Sequence, residues 1–108
     1  LVNIAGKRSS LAYLNHQLCA IEGVQDGAFF LPDDTAEEAG GITRLTAFVV
    51  APGLSADAVQ RALRQRIDRV FQPRPLVLVD ALPRNSTGKL LRTTLQALYQ
   101  ERVAHGRV

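Results

Sequence analysis

The residues best able to do chemistry lie in one run, Leu82-Pro83-Arg84-Asn85-Ser86-Thr87-Gly88-Lys89-Leu90-Leu91-Arg92. It follows a short apolar run, Leu76-Val77-Leu78-Val79, and precedes a helix-like segment from about Leu90 to Val103. The pattern predicts a strand that enters a polar turn, and a turn that delivers one amine, Lys89, at the mouth of a helix. Gly88 permits a positive φ or a close approach to a ligand. Pro83 stiffens the start of the turn, and Asn85, Ser86 and Thr87 suit a tight, exposed loop. A nucleotide phosphate loop would need Gly, four residues, then Gly-Lys-Ser/Thr. Here Pro83 stands at the first glycine position and has no amide hydrogen to offer a phosphate. Leu90 stands where a magnesium-binding hydroxyl belongs. The run is therefore not read as an NTPase loop. A lone Gly-Lys in such a turn is most often a solvated lysine, so the amine alone decides nothing.

Other reactive side chains are less well placed. His16 and His105 have no partner at ligand spacing and read as surface or helix-end residues. Cys19 is the single cysteine, so no internal disulfide forms, and a reducing, cytoplasmic setting is expected. Without a nearby base, Cys19 reads as a small buried hydrophobe. Asp33, Asp34, Glu37 and Glu38 lack ligand spacing and read as a solvated acidic loop, so no metal site is assigned.

The elements that must position Lys89 follow from hydrophobic spacing. Leu1 to Ala5 reads as a strand and Gly6-Lys7-Arg8-Ser9 as a turn. Ser10 can cap a helix whose apolar face carries Leu11, Leu14, Leu18 and Ile21. Val24 to Leu31 is the next strand, and Pro32 to Arg44 a long connection expected to be mobile. Ile42 to Ala51 contains Ala47-Phe48-Val49-Val50, the pattern of a strand buried on both faces. Ser55 can cap a second helix, with Val59, Ala62, Leu63, Ile67 and Val70 at helical spacing to about residue 70. Pro73 and Pro75 stop it. Leu76 to Val79 is a further strand, and strand–helix–strand order predicts a parallel crossover. The last helix carries Leu91, Leu95, Leu98 and Val103 on one face. The order is strand, helix, strand, strand, helix, strand, helix. The reading is α/β (α+β): a small mixed sheet of about three strands with flanking helices, plus a short N-terminal hairpin.

Length and charge bound the partners. With 108 residues, 46% of them hydrophobic, the chain suffices for one small domain. No apolar run reaches the length of a membrane span, and no signal-peptide pattern opens the chain. The sequence has no methionine and begins directly in an apolar pattern, as expected of a piece of a longer protein. Net charge is +3. Arg61, Arg64, Arg66 and Arg69 read as a solvated helix face, and no aromatic residues interleave with them as a nucleic-acid stacking platform requires.

Taken whole, Leu82 to Arg92 resembles the C-terminal motif of the acyl-adenylate-forming superfamily, which includes acyl-CoA synthetases, nonribosomal peptide adenylation domains and luciferases. Those proteins end in a hydrophobic residue, Pro, polar residues, Thr-Gly-Lys, two apolar residues and Arg. Leu82, Pro83, Thr87, Gly88, Lys89 and Arg92 match in place. Val2 to Arg8 is similar to the superfamily's hinge-side loop through Gly6 and Arg8. Asn3 stands where lysine is common, and the usual acidic helix start is replaced by Tyr13-Leu14-Asn15.

The resemblance implies a C-terminal lid, residues 1–108, of a larger AMP-forming acid–thiol ligase, acyl-CoA synthetase-like. Its hinge residue and N-terminal adenylation domain would lie outside this sequence. In such enzymes a carboxylate attacks the α-phosphorus of Mg-bound ATP, giving acyl-AMP and pyrophosphate. The thiol of CoA, or of a carrier-protein pantetheine, then displaces AMP. Lys89 is implied to be the adenylation lysine, with Thr87 and Gly88 beside it at the nucleotide. Gly6, Lys7 and Arg8 are implied to serve the thioester step, Gly6 lining the pantetheine passage and the two cations meeting phosphates. Acylation of Lys89 would remove its charge and switch off the first step. The fragment alone would be inactive. The competing reading is a stand-alone, non-catalytic α/β binding or dimerisation module in which Lys89 is a surface lysine.

Overall fold

Ser10 opens the first helix as its type suggests: its backbone is extended and its hydroxyl accepts the amide of Tyr13. The computed structural model of the chain describes residues 2–4, 6–31 and 45–104. Strands β1 (Val2–Ile4) and β2 (Lys7–Ser9) form an antiparallel hairpin and are followed by α1 (Leu11–Cys19). Then come β3 (Asp26–Phe30), β4 (Thr46–Val50) and α2 (Ala56–Arg64), the last capped by the Ser55 hydroxyl. A 3-10 turn (Arg69–Phe71) leads to β5 (Leu76–Leu78). Helix α3 (Arg92–Tyr99) runs on as a wider π turn, Gln100–Ala104.

The main sheet has the order β3-β4-β5. β3 pairs antiparallel with β4, and β5 pairs parallel with it. The expected small mixed sheet with flanking helices and an N-terminal hairpin is therefore what forms. All five residues of β4 are buried. Their alternation divides the interior in two. Ala47 and Val49 face a cluster with Leu14 and Leu18 of α1 and Val59 and Leu63 of α2. Phe48 and Val50 face Ala28, Phe30, Val79, Leu82 and Leu95 on the α3 side.

Several boundaries differ from expectation for identifiable reasons. Lys7–Ser9 is strand rather than turn, because the chain reverses at Gly6, whose φ is +80°, and this adds a strand to the expected order. Helix α2 stops at Arg64 instead of about 70: the amides of Arg66 and Ile67 both turn back to the Leu63 carbonyl, and Asp68 caps the 3-10 turn through Val70 N–H. The apolar spacing beyond residue 64 serves that turn, burying Ile67 and Phe71. Of the four arginines, Arg61 and Arg64 ride on α2, whereas Arg66 donates to Gln17 Oε1 at 3.3 Å and so ties this corner to α1. Helix α3 begins at Arg92, so Lys89 precedes it by three residues, and Leu91 is 41% exposed rather than on the buried face. Leu90 packs on the α3-side cluster instead. Cys19 is exposed, not buried. The connection Pro32 to Arg44, its acidic residues, the early part of the Ile42 strand and His105 lie outside the described residues.

Gly27 marks the tightest packing between α1 and the sheet. A Cβ there would lie 2.6 Å from Leu18 Cδ2 and 3.0 Å from its Cγ, and Leu18 is fully buried with nowhere to move. Gly27→Ala should lower stability by about 1–3 kcal/mol through overpacking. Gly53→Ala, where a Cβ meets nothing within 4 Å, should stay within about 0.5 kcal/mol. Urea midpoints at unchanged m values would check both.

Candidate functional site

Leu82 is buried in the α3-side cluster and Leu90 is half-buried against it, so the polar residues between them form a loop tethered at both ends. Asn85 organises that loop. Its Oδ1 accepts from Thr87 N–H at 3.0 Å, Thr87 Oγ1 at 2.7 Å and Lys89 N–H at 2.9 Å. Its own backbone closes the turn as well: Asn85 N–H donates to the Lys89 carbonyl and Gly88 N–H donates to the Asn85 carbonyl, each at 2.9 Å. Gly88 has φ +83°, a left-handed conformation that favours glycine.

Two arginines moor the loop to opposite ends of β3. Arg84 donates from Nε to Asp26 Oδ2 at 2.9 Å and from Nη2 to Asp26 Oδ1 at 2.8 Å, and from Nη1 to the Gly88 carbonyl at 3.0 Å. Arg92 lies 5.0 Å from the Phe30 ring centroid and donates to the Leu31 carbonyl at 3.1 Å. The fork of Arg84, aided by the Gly27 amide, holds the Asp26 carboxyl below the usual carboxylate range, and Asp26 in turn drives the Arg84 guanidinium up.

The Lys89 side chain is exposed, and among the described residues it makes no hydrogen bond or ion pair. The structure thus gathers Thr87, Gly88 and Lys89 in one fixed loop. Gly6, Lys7 and Arg8 are gathered elsewhere, in the β1–β2 hairpin. They line a concavity of about 480 Å³ with Tyr13, Arg66, Asp68 and Phe71. A Cβ on Gly6 would meet nothing within 4 Å, so within this chain the demand for glycine is its positive φ. Lys7 Nζ is 3.2 Å from Asp68. The Val70 amide and then Lys7 hold the Asp68 carboxyl below its usual range.

Sequence reading missed Asn85 as the organiser and Asp26 as a partner of the loop. Asn-x-Thr-Gly is a turn signal that could have pointed to Asn85. Nothing local could have paired Asp26 with Arg84, 58 positions away. Cys19 Sγ lies 3.7 Å from the Gly27 carbonyl. Although the residue is exposed, partial burial of its sulfur and then the Asp26 charge push the thiol's pKa up, so the protonated form is favoured. No group of three or more His, Cys, Asp or Glu able to hold a metal forms among the described residues, and none of their helices is long and apolar enough to cross a membrane.

Two outcomes follow. Asn85→Ala removes one acceptor shared by three donors, each worth about 0.5–1.5 kcal/mol net. Hydrogen exchange at the Thr87 and Lys89 amides should accelerate roughly tenfold or more on that basis. The second concerns pH. Asp26 has a depressed folded pKa, so its contribution is present above the unfolded value of about 3.9 and is lost as pH falls through the folded one. The contribution is small, because the pair is about one-third exposed. NMR titration of the Asp26 carboxyl should show the depression, and Arg84→Gln should abolish it.

The family model described as the AMP-binding enzyme C-terminal domain matches residues 16–89. The chain is similar to a plipastatin synthase of Bacillus subtilis (strain 168), with 34% identity over 95 residues that cover 87% of this chain and 2% of that protein. It shows 34% identity over 89 residues with a dioxo-octahydroindenyl-propanoyl:CoA ligase of Rhodococcus jostii (strain RHA1), covering 79% of this chain and 16% of the ligase. Among solved structures, Mycobacterium tuberculosis fatty acyl CoA synthetase superposes with a TM-score of 0.74 at 26% identity, over 93% of this chain and 20% of that one. The chain thus spans a small part of each relative. With that match over most of its length and a fold shared with a fatty acyl CoA synthetase, the chain belongs to the AMP-binding enzyme C-terminal domain family.

Proposed function

We propose that this chain is the mobile C-terminal lid of a larger AMP-forming acid–thiol ligase, and that Lys89 serves its adenylation step. One observation carries the reading: Lys89 combines a locked backbone with an exposed amine that has no ion pair among the described residues. The chemical difficulty is to bring a carboxylate up to the polyphosphate of ATP. A carboxylate oxygen attacks the α-phosphorus while the bond to pyrophosphate breaks. An ammonium between the two anions offsets their repulsion and the charge of the transition state. Lysine suits this as a compact charge on a flexible stem. Thr87 and Gly88 keep the loop in shape beside the nucleotide, and magnesium would arrive on the phosphates of ATP.

In the second step the thiol of CoA, or of a carrier-protein pantetheine, attacks the acyl carbon and releases AMP. The hairpin then replaces the lysine loop at the N-terminal domain's cleft, with Gly6 lining the passage of the pantetheine arm. Arg8 and Lys7 meet phosphates there. Supporting this assignment is the exposed, positive-φ turn at Gly6 flanked by two cations. Domain closure that builds a separate site for each step is an established device.

The test uses the parent enzyme. Lys89→Ala should lower acyl-adenylate formation by about 10²–10³-fold, the scale of losing one transition-state charge partner. Thioester formation from supplied acyl-AMP should persist. Gly6→Leu should do the reverse. Equal loss of both half-reactions in Lys89→Ala would overturn the assignment.

A further inference from the structure

Arg84 does more than an exposed surface cation usually does. All three of its donor nitrogens are engaged: two fork onto Asp26 at 2.8 and 2.9 Å, and the third reaches the Gly88 carbonyl at 3.0 Å. One side chain therefore joins the first residue of β3 to the peptide immediately before Lys89. Asp26 is held rigid in its turn, because Oδ1 also accepts the Gly27 amide at 2.9 Å, and Gly27 is wedged against Leu18. The path from core to amine is short: Leu18, Gly27, Asp26, Arg84, Gly88, Lys89.

We propose that the Asp26–Arg84 pair is a positioning device that fixes where Lys89 projects, and that it serves the adenylation step selectively. The inference rests on the assignment of Lys89 to that step. As a stabiliser the pair is weak, since exposed ion pairs contribute little. As a geometric restraint it is strong: a planar fork on a carboxylate fixes both distance and orientation. The carbonyl it grips belongs to Gly88, the residue with the most backbone freedom in the loop. Without Arg84 on that carbonyl, the peptide between Gly88 and Lys89 keeps only its amide bond to Asn85 Oδ1 and loses its tie to β3, so the amine spreads over a wider volume. Small displacements of a catalytic group cost rate steeply. Lysine at position 84 would keep the charge but lose the fork.

The experiment compares Asp26→Asn, Arg84→Gln, Arg84→Lys, the Asp26→Asn/Arg84→Gln double variant and Lys89→Ala in the full-length parent enzyme. Adenylation is followed by pyrophosphate exchange, using whichever acid of a panel the unaltered enzyme adenylates. Thioester formation is followed from the synthetic acyl-AMP of the same acid. Each variant of the pair should lose at least about tenfold in adenylation and stay within about twofold in the thioester step, with unchanged melting temperature. The double variant should be no worse than the worse single, as expected of two groups acting as a unit. Arg84→Lys should resemble Arg84→Gln. Amide exchange in residues 84–89 should quicken in every pair variant, a readout that needs no substrate. The proposal is overturned if the pair variants keep full adenylation while Lys89→Ala abolishes it, if both steps fall together, or if loop exchange is unchanged. If Lys89→Ala itself spares adenylation, the fault lies with the assignment of Lys89 and not with the pair, which the exchange data still judge.

Discussion

Thr46 to Val50 have no solvent-facing side in this fold, and the surrounding architecture answers that constraint. A strand buried on both faces needs a neighbour on each edge for its amides and a helix layer on each face for its side chains. β3 and β5 supply the edges. Parallel pairing with β5 cannot be made through a tight turn, so α2 forms the crossover. Pleating sends Ala47 and Val49 toward α1 and α2, and Phe48 and Val50 toward α3. The chain leaving β5 buries Val79 and Leu82 on that second side. The polar loop must then depart from the α3 face, so the pleat of β4 decides from which side Lys89 leaves.

Within the loop, order and freedom are divided between backbone and side chain. Ordering a residue's backbone costs about 1–2 kcal/mol, and a hydrogen bond returns about 0.5–1.5 kcal/mol net. Three bonds accepted by one Asn85 oxygen, two turn bonds from its own peptide and three from Arg84 are enough to hold a short loop. None of them uses the Lys89 amine. Buried leucines at 82 and 95 and the two arginines on β3 fix the stem, while the charged tip keeps its rotamers. The proposed role, reaching into a cleft on a neighbouring domain, calls for this combination: an imprecise stem would waste the charge, and a paired tip would first have to give up its partner.

What the sequence revealed, and what it did not, tracks the range of the interactions involved. Ser10 and Ser55 were readable as caps because their partners sit three residues on. The burial of Ala47-Phe48-Val49-Val50 was readable because four apolar residues in a row leave no polar face. The polar turn that carries Lys89 was readable through its neighbours in the run. The end of α2 was not, because Ile67 and Val70 keep helical spacing although Ile67 lies past the helix end and Val70 belongs to a separate 3-10 turn. Leu91 was assigned to a buried face because it keeps helical spacing with Leu95 and Leu98, but it is the extended N-cap of α3, so its side chain leaves that stripe. Cys19 closes a short helix whose buried stripe is Leu14 and Leu18, which leaves position 19 facing outward. Asp26 belonged to no motif, and only the fold brings it to Arg84.

The cations of the two candidate loops are not equally ready. Lys89 and Arg8 make no ion pair among the described residues, whereas Lys7 is already engaged by Asp68. If the hairpin serves a phosphate, Arg8 can meet it at once, with the planar fork that suits such a ligand. Lys7 has to exchange one anion for another. That exchange is easy, because the pair is exposed and screened by salt, and a phosphate offers more charge than a carboxylate. Asp68 also has a second claim on its charge, since it caps the 3-10 turn through Val70, so the turn survives when Lys7 departs. On the proposed function, the hairpin would hold Lys7 quiet during adenylation and release it when a polyanion arrives. Among the described residues nothing holds Lys89 in that way, as its proposed role in the first step would require.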